Sequence, residues 1–136
     1  MTSTLHIKNE LGNLTLLSEF LEQNIQGRVL DETLRMQLQL VLEEVVVNVI
    51  SYAYPGQTDK DIFVEIGWNG GSIEITVIDS GIPFNPLEKE DPDLTLSVEE
   101  RPIGGLGIFL VKQLMTDVHY IRQDGKNILT MIKDMN

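Results

Sequence analysis

Glu44 and Asn48 stand four residues apart inside VLEEVVVNVISYAY, residues 41 to 54, an otherwise apolar run. A carboxylate can accept a proton and a carboxamide oxygen can ligate a hard cation, so the two together could serve general-base and metal chemistry. Both cost free energy if buried without partners. At about 100° per residue, Gln37, Glu44, Asn48 and Ser51 fall within an arc of roughly 60° on one helix. That polar line faces either solvent or a cleft. The flanking valines with Tyr52, Ala53 and Tyr54 make the helix more apolar than a surface helix usually is, which favours the cleft.

Two further groups have a possible chemistry. Asp79-Ser80-Gly81 ends an apolar segment. An Asp before a Gly is most often a turn, yet a carboxylate at a strand end also accepts from an exocyclic amino group such as adenine's, and Gly lets a base approach the backbone. Gly104-Gly105-Leu106-Gly107 leads into IFLVKQLM. It is either a hinge or an anion site, because free N–H groups and the dipole at a helix start both favour negative charge. It matches neither a Walker P-loop nor a dinucleotide fingerprint.

The elements that must position these groups follow from periodicity. LHIK, residues 5 to 8, reads as a short strand, and Glu10 to Gln26 carry Leu14, Leu17, Leu21 and Ile25 at helical spacing. Asp31 is a natural N-cap for a second helix with the stripe Leu34, Leu38, Val41, Leu42, Val45 and Val49, ending before Pro55-Gly56. The period then changes to two. Ile62, Val64, Ile66 and Trp68 form one strand, Asn69-Gly70-Gly71 turns the chain, and Ile73, Ile75 and Val77 form the next. Residues 82 to 103 read as a long loop, a candidate lid. A third helix runs from the glycine turn to near Asp117, and a last hairpin turns through Asp124-Gly125-Lys126-Asn127. This order predicts a single α+β domain over residues 1 to 136, a two-layer sandwich with helices on one face of a mainly antiparallel sheet.

Composition narrows the function. The chain of 136 residues carries 21 acidic against 10 basic side chains, a net charge of −11, which argues against gripping a nucleic acid backbone. A phosphorylated small molecule would have to be held by local devices such as a helix N-terminus or a bound cation. The absence of cysteine removes thiol nucleophiles and thiolate zinc sites and fits a reducing compartment. No signal peptide or membrane-length apolar run is present, so the expected location is cytoplasmic, with no membrane partner.

Taken in order, Glu44-x-x-x-Asn48, Asp79-x-Gly81-x-Pro83-Phe84, the turn Gly104-Gly105-Leu106-Gly107 and Thr130 resemble the N box, the two glycine boxes and the closing threonine of the GHKL ATPase superfamily. Within it, NVISYAYP, DSGIPFNP and GGLGIFLVKQLMTD are similar to the anti-sigma-factor serine/threonine kinases of bacteria, with likeness from about residue 10 to residue 133. The resemblance implies the Bergerat ATP-binding fold, with ATP and Mg²⁺ as ligands. It gives Glu44 the role of general base and Asn48 that of Mg²⁺ ligand. It makes Asp79 the acceptor for the adenine amino group, with Gly81 and Thr130 completing that pocket and Tyr52 packing beside the base or ribose, where the family commonly has histidine. The backbone from Gly104 through Gly107 would cradle phosphates, and Arg101 would swing onto the terminal phosphate. The implied partners are an antagonist protein phosphorylated on Ser or Thr, a sequestered sigma factor or other regulator, and a second copy in a homodimer. The alternative is a nucleotide-gated protein-binding module without significant kinase activity.

Overall fold

The computed structural model describes residues 2–28, 30–88 and 106–135. Five strands form one sheet: β1 (Thr2–Lys8), β2 (Asp61–Asn69), β3 (Ser72–Asp79), β4 (Asp117–Gln123) and β5 (Lys126–Asp134). Their spatial order is β1-β2-β3-β5-β4, and every pairing is antiparallel. The α-helices among the described residues are α1 (Leu14–Ile25), α2 (Glu32–Asn48) and α3 (Leu106–Leu114). The architecture is the expected two-layer α+β sandwich. Period-two residues Ile62, Val64, Ile66, Ile73, Ile75, Val77, Leu129 and Met131 are all buried and share one core with Leu17 and Leu21 of α1 and Leu38, Leu42 and Val45 of α2. A strand places alternate side chains on opposite faces, so these residues define the helix-covered face and their neighbours the open one.

Local chemistry sets the boundaries. The Asp31 carboxylate caps α2 by accepting from the Leu34 N–H at 2.7 Å. α2 stops being α-helical at Asn48, and Val49–Ala53 form one π-helical turn before the chain reaches Pro55. The apolar stripe predicts a single regular helix through this segment. The wider turn removes Ser51 from the polar line, so that it is exposed where Asn48 is buried. It also turns the Ala53 carbonyl outward to accept from the Ile82 N–H at 2.9 Å.

The last hairpin also differs from expectation. Only Asp124 and Gly125 form its turn, both with positive φ, 54° and 76°, as a two-residue type I′ loop requires. Lys126 and Asn127 are therefore the first residues of β5, and Asn127 lies in register with Asp79.

Candidate functional site

Glu44, Asn48, Asp79, Gly81 and Gly107 converge between the C-terminal half of α2, the end of β3 and the start of α3. Asn48 is buried, at 6% exposure. Its Nδ2 donates to the Glu44 carbonyl at 2.8 Å, while its Oδ1 is buried without a hydrogen-bond partner, alone in that respect among the described side chains. A native carboxamide oxygen left this way costs about 1–3 kcal/mol, so a ligand for it has to be sought. A hard cation fits, since Mg²⁺ takes oxygen ligands and keeps several from water and phosphate. Asn48→Leu should therefore keep or slightly raise the melting temperature while abolishing Mg²⁺-dependent nucleotide binding; thermal melts beside calorimetric titration check both halves.

Glu44 is half-buried, and its carboxylate lies against Gly107, the second residue of α3. A Cβ on Gly107 would overlap Glu44 Oε2 and stand 2.9 Å from its Cδ, so glycine is what lets this carboxylate approach the helix start. Negative charge is favoured there by the macrodipole and the free N–H groups.

Asp79 is 3% exposed at the end of β3. Its Oδ1 accepts from the Gly81 N–H at 2.9 Å and from Asn127 Nδ2 at 2.8 Å. Burial pushes its pKa above the ordinary aspartate value; the bonds from Asn127 and Gly81 and the nearby Arg122 charge oppose that rise. Because the folded-state pKa is raised, the contribution to stability is full below the unfolded value of 3.8 and is lost as pH rises through the folded value. Once ionised, Asp79 thus costs stability. Asp79→Asn should raise the melting temperature at neutral pH, less so in acid, and lose tenfold or more in nucleotide affinity, roughly one charged hydrogen bond.

The segment after Asp79 is held from three sides. Tyr54, buried, accepts from the Ser80 N–H at 2.7 Å and donates to the Asp61 carbonyl at 2.8 Å. Arg122 donates to the Gly81 carbonyl at 2.8 Å. Asn127 donates to the Ile82 carbonyl at 2.8 Å and accepts from the Phe84 N–H at 3.1 Å. Phe84 in turn stands 5.5 Å from the ring of Tyr52, which is 42% exposed. Between Asn48, Asp79, Phe84, Pro86 and Tyr120 the enclosed space is about 10 Å³, room for a single water. A purine is larger than this space, so its lining has to open to admit one.

Thr130 is not part of this group. It pairs with Thr76 on β3, three residues along β5 from Asn127, and alternation turns it to the open face of the sheet. The expectation that it completes the adenine pocket is corrected by that register: the β5 side chain that reaches Asp79 is Asn127. The Asp124-Gly125 turn was the sequence signal for it, because an Asp-Gly hairpin loop of two residues starts the strand at Lys126. Tyr54, Tyr120 and Arg122 were also missed, having no motif of their own. Arg101, Gly104 and Gly105 lie outside the described residues, as does the Leu106 side chain.

The arrangement of Asn48, Asp79 and the start of α3 on a two-layer sandwich has a counterpart among known families. Residues 7–133 match the histidine kinase-like ATPase domain. This chain belongs to that family. ATP use comes with membership of the family. Among its relatives, the serine/threonine-protein kinase BtrW of Bordetella bronchiseptica is 28% identical over 72% of this chain and 69% of its own length. The serine-protein kinase RsbW of Listeria monocytogenes is 30% identical over 73% of this chain and 65% of its own. The matched stretch thus spans about two thirds of these curated relatives. In fold, the chain is similar to the crystal structure of the RsbU and RsbW domains of a Mycobacterium tuberculosis protein, with a TM-score of 0.66 at 15% identity, covering 98% of this chain and 32% of that one. The histidine kinase domain of a blue-light-activated kinase from Erythrobacter litoralis gives 0.58 at 17% identity, over 91% of this chain and 60% of the other. Among the described residues no helix of this ATPase-family domain is long and apolar enough to cross a membrane.

Proposed function

We propose that this chain is an ATP-dependent serine/threonine protein kinase of the anti-sigma-factor type, which phosphorylates a small antagonist protein and sequesters a regulator such as a sigma factor in the cytoplasm. The observation that carries the reading is the unpartnered, buried Oδ1 of Asn48 one helical turn from a carboxylate that abuts the start of α3. Asn48 would hold Mg²⁺ through that oxygen, and the ion would supply charge neutralisation at the nucleotide phosphates. Glu44 accepts the proton of the substrate Ser or Thr hydroxyl. Asp79 accepts from the adenine amino group, Gly81 leaves room for the base, and Tyr52 and Phe84 flank it. Gly104, Gly105 and Gly107 offer backbone N–H groups to the phosphates and Arg101 contacts the terminal one. The names of the relatives support the kinase chemistry, and the active form is taken to be a homodimer.

The test is transfer of label from γ-labelled ATP, with Mg²⁺, to a candidate antagonist protein. Label on a Ser or Thr of the antagonist supports the kinase. A second reading is a nucleotide-gated binding module, in which entry of nucleotide into the narrow space beside Asp79 is itself the signal. Tight ATP binding with no transfer, together with nucleotide-dependent capture of the partner, would establish that reading in place of the first.

A further inference from the structure

We infer that Asn127 is the positioning residue for nucleobase recognition: its amide fixes which oxygen of Asp79 is left for the base, and thereby sets a preference for an amino group over a carbonyl at the purine 6-position. This inference rests on the reading of the cleft as an ATP site.

The amide of Asn127 is fully committed. Nδ2 donates to Asp79 Oδ1 and to the Ile82 carbonyl, both at 2.8 Å. Oδ1 accepts from the Phe84 N–H at 3.1 Å and from the Tyr120 hydroxyl in a short contact. Two donors and two acceptor positions are all a carboxamide has. The reverse orientation would set its oxygen against the Asp79 carboxylate and the Ile82 carbonyl and its NH₂ against the Phe84 N–H, so only this one satisfies the four partners. At 4% exposure, water cannot substitute for them.

The consequence falls on Asp79. Both of its protein donors, Asn127 Nδ2 and the Gly81 N–H, meet on Oδ1. Oδ2 accepts no bond from the described residues and is the acceptor left for a ligand. Only an ionised carboxylate is a pure acceptor, the complement of an amino group; a protonated one could donate to a carbonyl instead. Burial drives Asp79 toward the protonated form, and Asn127 is the first of the groups that oppose this, ahead of the Gly81 N–H and the Arg122 charge. The other titratable group facing Asp79 is Tyr54, whose phenol burial holds neutral by raising its pKa. Asn127 therefore fixes the orientation that reads the base and favours the ionised form that does so.

Size and hydrogen bonding can be separated with a matched pair. Asn127→Thr and Asn127→Val have nearly the same shape and both suit a strand, but only threonine keeps a donor for Asp79. Calorimetric Kd values for Mg-ATP and Mg-ITP, whose base carries a carbonyl where adenine has its amino group, give the discrimination ratio for each variant. We expect Asn127→Val to lose about tenfold of the wild-type ATP preference, the worth of one hydrogen bond to a charged group. The loss should grow as pH is lowered, because Asp79 without its donor takes a proton more readily. Asn127→Thr should retain most of the preference. Equal ratios in the two variants would overturn the role of Asn127, even if both bind ATP more weakly than wild type. Should Asn127→Val not fold, Asn127→Ala against Asn127→Ser makes the same comparison. Wild-type protein that binds neither nucleotide would overturn the ATP reading itself, an outcome distinct from binding with an unchanged ratio.

Discussion

Glu44→Gln is expected to lower phosphoryl transfer to a protein substrate by about 10²–10⁴-fold, the usual contribution of a positioned general base. Nucleotide affinity should stay within about threefold of wild type, because no other role is asked of this carboxylate. The substitution keeps the shape of the side chain that abuts Gly107, so the contact between α2 and α3 survives. What it removes is the ability to take a proton, since an amide oxygen is a far weaker base than a carboxylate. Single-turnover transfer with labelled ATP and the antagonist, beside a titration of nucleotide binding, separates the two quantities. Transfer at the wild-type rate would remove Glu44 from the chemistry. A parallel loss of nucleotide affinity would mean instead that the carboxylate shapes the phosphate site at the start of α3.

Gly81→Ala should be among the most damaging single-methyl additions in this chain. A Cβ at residue 81 would collide with the carbonyl oxygen of Ala53 and stand 2.7 Å from its carbon and 2.8 Å from its Cβ. The obstacle is backbone at the end of the π-helical turn, tied in place because the same Ala53 carbonyl accepts from Ile82. A rotamer change cannot relieve it. Overpacking of this kind costs about 3 kcal/mol, a large share of the ~5–15 kcal/mol that holds a domain folded. The melting temperature should fall by roughly 10 °C. ATP binding should fall with it, because moving residue 81 withdraws the N–H that Asp79 Oδ1 accepts. A Gly81→Ala variant that melts like wild type would show that the approach of this loop to α2 is looser than the contact implies.

Several features of the site were legible in the chain itself. The Asp31 cap, the switch to period two after residue 60 and the alternation through Ile73, Ile75 and Val77 depend on neighbours within a few residues, and each is found where local rules put it. Glu44 and Asn48 share a face because four residues make about one helical turn. Other features depend on contacts that no local pattern encodes. Ser51 follows the same spacing as Asn48, yet the π turn at Val49–Ala53 leaves it exposed. Thr130 has the residue type expected in the pocket, yet a β5 that begins at Lys126 turns it to the open face. Placing Lys126 and Asn127 in the turn hid the one β5 side chain that reaches Asp79.

The sequence by itself determined the fold class, the family and the carboxylate and carboxamide on α2, because these rest on periodicity, caps and motif spacing, all short-range in the chain. Tertiary structure alone decided that Asn48 Oδ1 is buried without a partner, that Glu44 meets the start of α3, and that Asn127 rather than Thr130 faces Asp79. Each of these is a relation between residues 48 or more positions apart or a question of burial. Strand register answers it for Asp79 and Asn127, and a one-residue shift would reverse every side chain. Close approach answers it for Glu44, where the missing Cβ of Gly107 admits the carboxylate to the helix end.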